Sequence, residues 1–199
     1  MADVLFGTVN DNVDEEGLGR VQVLLSDHGD EVILPWIRVI QALGSSDSGL
    51  VWLPEIDDNV VVLCGPGGVD GMVVLGCLYS GNRMPPGEAK VEHKHLLTMG
   101  GNEILIDDTD GAEQIKIATK DGIEILIDNA TPSITITAGS EITVTADDTI
   151  TVEAADIVLT GSSSITIDGG SNPVEVLGSD IDVTGSGTVK ISGSSVELG

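Results

Sequence analysis

The chain has 199 residues, 8 basic against 33 acidic side chains, a formal net charge of −25, and four aromatics, Phe6, Trp36, Trp52 and Tyr79. That balance excludes a nucleic-acid binder, which needs clustered Lys and Arg against phosphates. It equally excludes stable attraction to an anionic membrane. A hydrophobic content of 41% with clear strand periodicity argues against acidic disorder, so the charge reads as a solvated exterior. No ring follows Tyr79, so Ile, Val and Leu must fill any later core, which suits a narrow structure.

Met1-Ala2-Asp3 lacks a basic region and an apolar run, so no signal peptide is expected and synthesis in the cytoplasm is. No run of 18 apolar residues spans a bilayer. Cys64 and Cys77 sit in apolar strand-like runs and are expected as buried reduced thiols, with a cross-strand disulfide the alternative.

In chain order, Phe6-Gly7-Thr8-Val9 leads into an acidic turn from Asp11 to Gly19. Arg20 to Leu25 alternates, Ser26 to Asp30 turns, and Glu31 to Ile40 carries Trp36. Gly44 to Gly49 reads as a flexible loop and Val51-Trp52-Leu53-Pro54 as a short extended element. Asn59–Leu63 and Gly71–Leu78 are apolar runs around the hairpin turn Cys64-Gly65-Pro66-Gly67-Gly68. Short strands without a helical pattern predict a small closed barrel over residues 1–85. Trp36 and Trp52 have few basic neighbours and are expected to pack in the core or against a neighbouring chain, not to stack on bases.

Pro85-Pro86-Gly87-Glu88 ends the barrel, and residues 86–103 are expected to form a neck. From residue 104 to 199 apolar residues recur in pairs spaced by one. They are Ile104/Ile106, Ile115/Ile117, Ile125/Ile127, Ile134/Ile136, Ile142/Val144 and Ile150/Val152, then Ile157/Leu159, Ile165/Ile167, Val174/Val176, Ile181/Val183, Val189/Ile191 and Val196/Leu198. From Ile134 onward the spacing is seven to nine residues, most often eight, with Gly, Ser, Asp and Asn between. Each unit is then one short strand and one corner of a solenoid. A single-chain β-helix needs about 18 residues to pass three faces, so this period predicts three chains, each giving one strand per layer. Twelve layers at about 4.8 Å make a needle of roughly 55–60 Å. The lone chain would expose its apolar face and its strand edges.

Phe6-Gly7-Thr8-Val9, Gly19-Arg20-Val21-Gln22-Val23, Pro35-Trp36-Ile37-Arg38-Val39, Trp52-Leu53-Pro54-Glu55, Asn59-Val60-Val61-Val62 and Val73-Val74-Leu75-Gly76-Cys77-Leu78-Tyr79 occur in one order across the head. They resemble the oligonucleotide/oligosaccharide-binding (OB) barrel of contractile-tail spike proteins, the family of phage baseplate assembly protein V and the valine-glycine repeat proteins of type VI secretion. Asn102 to Gly111 and Glu113 to Ile117 resemble the segment that begins the needle there. The resemblance implies an all-β homotrimer: an N-terminal OB barrel followed by an intertwined triple-stranded β-helix. It further implies a non-enzymatic spike in a virion tail baseplate, docked on a tail hub protein and touching membrane only during puncture. A barrel standing first in the chain favours a phage tail or a phage-like extracellular injection system over type VI.

His93-Lys94-His95 is the one His-x-His motif. Relatives that bind metal there carry it at the needle tip, so metal at His93 and His95 is the minor reading and a turn or trimer contact the main one. The C-terminus lacks such a tip. A blunt end built by Val196, Leu198 and Gly199 is therefore expected to receive a separate cap of the proline-alanine-alanine-arginine kind. Ile134, Ile136, Ile142, Val144, Ile150, Val152, Ile165, Ile167, Ile181, Val183, Val189 and Ile191 are expected to form the needle core. No catalytic residue and no cofactor is expected: His28 has no aligned nucleophile, the carboxylates are evenly spread, and Gly65-Pro66-Gly67-Gly68 lacks the Lys of a phosphate loop. An ice-binding solenoid would explain Thr135-Ile136-Thr137 and Thr143-Val144-Thr145, but the Thr pairs lapse after Thr151. A glycan-cleaving β-helix wants aromatics that the needle lacks, and a calcium repeat wants more than Asp168-Gly169-Gly170.

Overall fold

A computed structural model describes residues 3–25, 31–87 and 89–197. The expectations for the Ser26–Asp30 turn, for His28, for Glu88, and for Leu198 and Gly199 lie outside the described residues. The chain divides into two units, Met1–Ile142 and Thr143–Gly199.

Unit one opens with β1 (Asp3–Asp11), β2 (Arg20–Leu25) and β3 (Val32–Val39), and continues with β4 (Gly44–Ser45), β5 (Ser48–Gly49), β6 (Asn59–Cys64) and β7 (Met72–Leu78). Strands β1-β2-β3-β7-β6 close into a barrel. Its pairs are antiparallel except β3–β7, which is parallel and short, with Arg38 opposite Val73 and Val39 opposite Val74. The bond from Ile40 N–H to Val74 O, at 2.9 Å, extends that seam.

Alternation builds the core. In β2 Val21, Val23 and Leu25 turn inward; Val9, Leu34, Ile37, Val60, Val62 and Val74 complete the buried set. Gly7 is fixed by close approach: a Cβ there would lie 2.5 Å from Leu24 O and 2.6 Å from Val23 Cγ1, so only glycine lets β1 lie this close to β2.

Several expectations are corrected here. Gly44–Gly49 is a small hairpin, β4 against β5, and not a free loop. Val51–Pro54 joins no strand; the Gln41 side-chain amide instead accepts from Trp52 N–H (3.0 Å) and donates to Trp52 O (3.3 Å), replacing a ladder partner. Of the two places expected for Trp36 and Trp52, neither side chain takes the first, the buried core. Cys77 is exposed and Cys64 half-buried, both as free thiols. Cys64 lies opposite Met72 and Cys77 opposite Val60, so a disulfide between them would have to span the length of the strand pair.

The second sheet of unit one is an antiparallel meander of β8 (His93–Leu97), β9 (Glu103–Asp107), β10 (Gln114–Ala118), β11 (Glu124–Asp128) and β12 (Ser133–Thr137), in sequence order. It starts inside the segment expected as neck. Within one chain, the first four apolar pairs thus bond to one another strand by strand. Unit two has no assigned strand among its described residues.

Candidate functional site

The meander has an isoleucine face, ended by Lys94 opposite Ile106, and a second face of different composition. The register aligns Ile106, Ile115, Ile127 and Ile134 in one column. Ile104, Ile117, Ile125 and Ile136 form a second, extended by Leu96 on β8. All eight isoleucines are exposed, from 39% at Ile125 to 70% at Ile134. Two ordered columns of β-branched side chains are a sheet core without its cover. Covering the exposed part of each would contribute roughly 1 kcal/mol, on the order of 8 kcal/mol per chain.

The opposite face carries a charge network around Leu105 and Leu126, which lie either side of Lys116 in register. Lys116 Nζ lies 2.6 Å from Glu103 Oε2, and His95 Nε2 lies 2.8 Å from Glu103 Oε1. His95 Nδ1 approaches Pro86 O at 3.4 Å, tying the barrel exit to the sheet. His93 Nε2 is 3.3 Å from Asp107 Oδ2. The bond and charge of Lys116 hold the Glu103 carboxyl below its ordinary range, and Glu103 in turn raises Lys116. Asp107 is lowered first by the Thr109 hydroxyl, then by its backbone N–H, with His93 adding a smaller share.

His93 and His95 therefore face carboxylates on the neighbouring strand, one each. The sequence reading missed this network. Its trace lies in the acidic and basic residues one position off the isoleucines, at Glu103, Asp107, Lys116 and Glu124.

In unit two the expected core residues Val144, Ile150, Val152, Ile165, Ile167, Ile181, Val183, Val189 and Ile191 are all exposed. Val196, of the expected cap-docking trio, is exposed as well. Ile134, Ile136 and Ile142 are exposed in unit one.

The head offers little to a polyanion. Arg20 is held by Asp14 at 2.7 Å and Glu16 at 3.1 Å, and Arg83 by Asp57 and Asp58 at 3.6 and 3.5 Å. Its outer wall is apolar instead, with Val4 opposite Leu63 and Phe6 opposite Val61 across β1 and β6. An open groove of about 880 Å³ between barrel and meander is lined by Val51, Trp52, Tyr79, Met84, Leu97 and Met99 among others.

A five-stranded closed barrel that buries its own core, followed by strands that do not, defines a structural β-protein with an OB-type head. Residues 5–79 match the type VI secretion system/phage-baseplate injector OB domain. The chain is 28% identical over 140 residues to the type VI secretion system spike protein VgrG1a of Pseudomonas aeruginosa, covering 63% of this chain and 22% of that protein. VgrG1c of the same organism is 27% identical over the same length, with 19% of that protein covered. The actin cross-linking toxin VgrG1 of Vibrio cholerae is 28% identical over 123 residues, 56% of this chain and 11% of the toxin. The chain thus spans about a fifth or less of the curated relatives it matches. Its head, over residues 5–79, matches the injector OB domain, and the chain is similar to type VI spike proteins over 140 residues.

Proposed function

We propose that this chain is the non-enzymatic central spike of a contractile injection machine of the phage-baseplate kind. It acts as a homotrimer whose heads (residues 1–85) sit on a tail hub, joined by a neck (86–103) to a needle (104–199) that pierces the target envelope. One observation carries the reading: an injector OB head leads directly into isoleucine columns and apolar pairs that the chain leaves open. Three copies supply the missing cover and ladder partners together. Stiffness follows, because bending such a needle must break many inter-chain bonds at once. The acidic corners Asp147-Asp148, Asp156, Asp168, Asp180 and Asp182 keep it soluble and non-adhesive. Val196, Leu198 and Gly199 would form the blunt end that a separate cap protein covers.

The test is native mass by light scattering, beside an unheated detergent gel. Three times 20.5 kDa, resisting detergent until heated, is the expected result. A monomer at every concentration sinks the reading. A spike of a type VI apparatus is the second reading, favoured by the relatives named as type VI spike proteins. Purifying sheathed particles from the producing cells and identifying the sheath that carries the chain distinguishes the two.

A further inference from the structure

The two residues of each apolar pair in unit two are not equivalent. The first members, Ile150, Ile157, Ile165, Val174, Ile181 and Val189, are 49–55% exposed, and the second members 64–73%. The difference holds at corners without a glycine, before Ile150 and Ile157, as well as at corners with one. At four corners the first member lies over a glycine of its own chain: a Cβ on Gly161 would sit 2.9 Å from Ile165 Cγ1, and on Gly169 2.9 Å from Val174 Cγ2. The corresponding distances are 3.6 Å from Gly178 to Ile181 Cγ1 and 3.1 Å from Gly185 to Val189 Cγ2. None of the three atoms nearest each of these Cβ positions belongs to a second member. The residue between the two, such as Val158 at 82% exposed, is more open still and lies on the other face of the extended chain.

We infer that the second member of each pair (Val152, Leu159, Ile167, Val176, Val183 and Ile191) is the principal contact with a second copy of this chain, while the first anchors its own corner. The occupant is argued from the repeat. The described residues of unit two hold no assigned strand, and the units recur at an irregular spacing of seven, eight or nine residues. Only a chain with the same sequence of spacings can meet every unit in register. Contact that the free chain already makes cancels from the free energy of association, so exposure in the free chain measures what assembly gains. This division of labour rests on the trimer reading above and goes beyond it by assigning the contact within each unit.

Ile165 and Ile167 are a matched pair of one residue type in one unit, 54% and 69% exposed. The experiment compares Ile165→Ala with Ile167→Ala, and the milder Ile165→Val with Ile167→Val should an alanine variant fail to assemble. Thr166→Ala serves as the outward control. The readout is the equilibrium between three chains and one, followed by light scattering across a dilution series in fixed guanidinium. The extra area lost at Ile167, counted in three chains, should weaken assembly about fivefold more than the loss at Ile165, and Thr166→Ala should leave it close to wild type. Equal effects, or a larger effect at Ile165, in a wild-type trimer overturn this inference alone. A wild-type monomer overturns the trimer reading and this inference with it.

Discussion

The corner glycines set a sharp test of the needle, and Gly161 is the most constrained. Adding a methyl group there places a carbon 2.4 Å from the Ser164 carbonyl oxygen, 3.0 Å from its carbonyl carbon and 2.9 Å from Ile165 Cγ1. The first two are backbone atoms, so no rotamer change relieves the overlap and the corner must open. Forced shifts of this kind cost about 1–3 kcal/mol, hence roughly 3–9 kcal/mol when three chains carry the change. Gly187 is the matched control, because nothing lies within 4 Å of its Cβ position. Gly187→Ala should stabilise slightly, by about 0.4–1 kcal/mol per chain, since alanine narrows the unfolded ensemble. Thermal unfolding of the purified assembly, followed by loss of native mass on heating, separates the two variants. A Gly161→Ala needle as stable as Gly187→Ala would refute the corner geometry.

Three further outcomes follow from particular groups. Asp14 accepts from Arg20 Nε at 2.8 Å and from two backbone N–H groups of its own loop, and it is held well below the carboxylate range, chiefly by the Arg20 bond. Its contribution is complete above the ordinary carboxylate pKa of about 4 and drains away as the pH falls towards the lowered folded value. Asp14→Asn should therefore melt lower than wild type at pH 7, and the gap should close in acid; a widening gap contradicts the assignment. Lys116 is raised by Glu103, so its contribution is full below the ordinary lysine value of about 10.5 and is lost as the pH rises through the raised one. Lys116→Met should remove that alkaline loss from melts between pH 8 and 12. Val62, fully buried in the barrel, should cost about 2 kcal/mol as Val62→Ala and lower the head's midpoint by about 10 °C, with the needle transition unmoved.

Where local pattern alone decides structure, the sequence is a good guide. Strand β2 starts and stops at Arg20 and Leu25 as expected, because Val21, Val23 and Leu25 share one face and glycine or turn residues bound the run. The apolar pairs from Ile104 to Ile136 likewise fall in strands β9 to β12. Misses arise where a partner distant in sequence overrides the pattern. Val51 to Pro54 reads as a short extended element, yet it pairs with no strand: Trp52 bonds to the Gln41 side chain and Pro54 O accepts from Asn12. Cys77 lies in an apolar run, but the β6–β7 ladder slips between Val61 and Val62, and Cys77 ends on the wall of the open groove. The Glu103 network depends on which strand lies beside which, and periodicity carries no such information.

That limit bears on how the molecule assembles. The barrel closes on nine buried side chains drawn from one chain, so its folding needs no second copy. The meander can form all its internal strand pairs alone, yet it leaves its isoleucine columns in water. Unit two forms neither strands nor a buried core among its described residues. The apolar surface that the chain leaves uncovered thus increases along its length. Ordering eight backbone residues costs roughly 8–16 kcal/mol, against about 3–6 kcal/mol from burying two aliphatic side chains, so a needle unit cannot hold its shape on side-chain burial alone. Heads should fold first and at a rate independent of concentration. In the trimer proposed above, the meander would bring the isoleucine columns of three copies together, and that contact would hold the remaining chains close enough to zip towards the C-terminus. On that proposal, a segment ordered only by inter-chain bonds would have no intermediate in which one strand slips free cheaply, as the proposed piercing role requires.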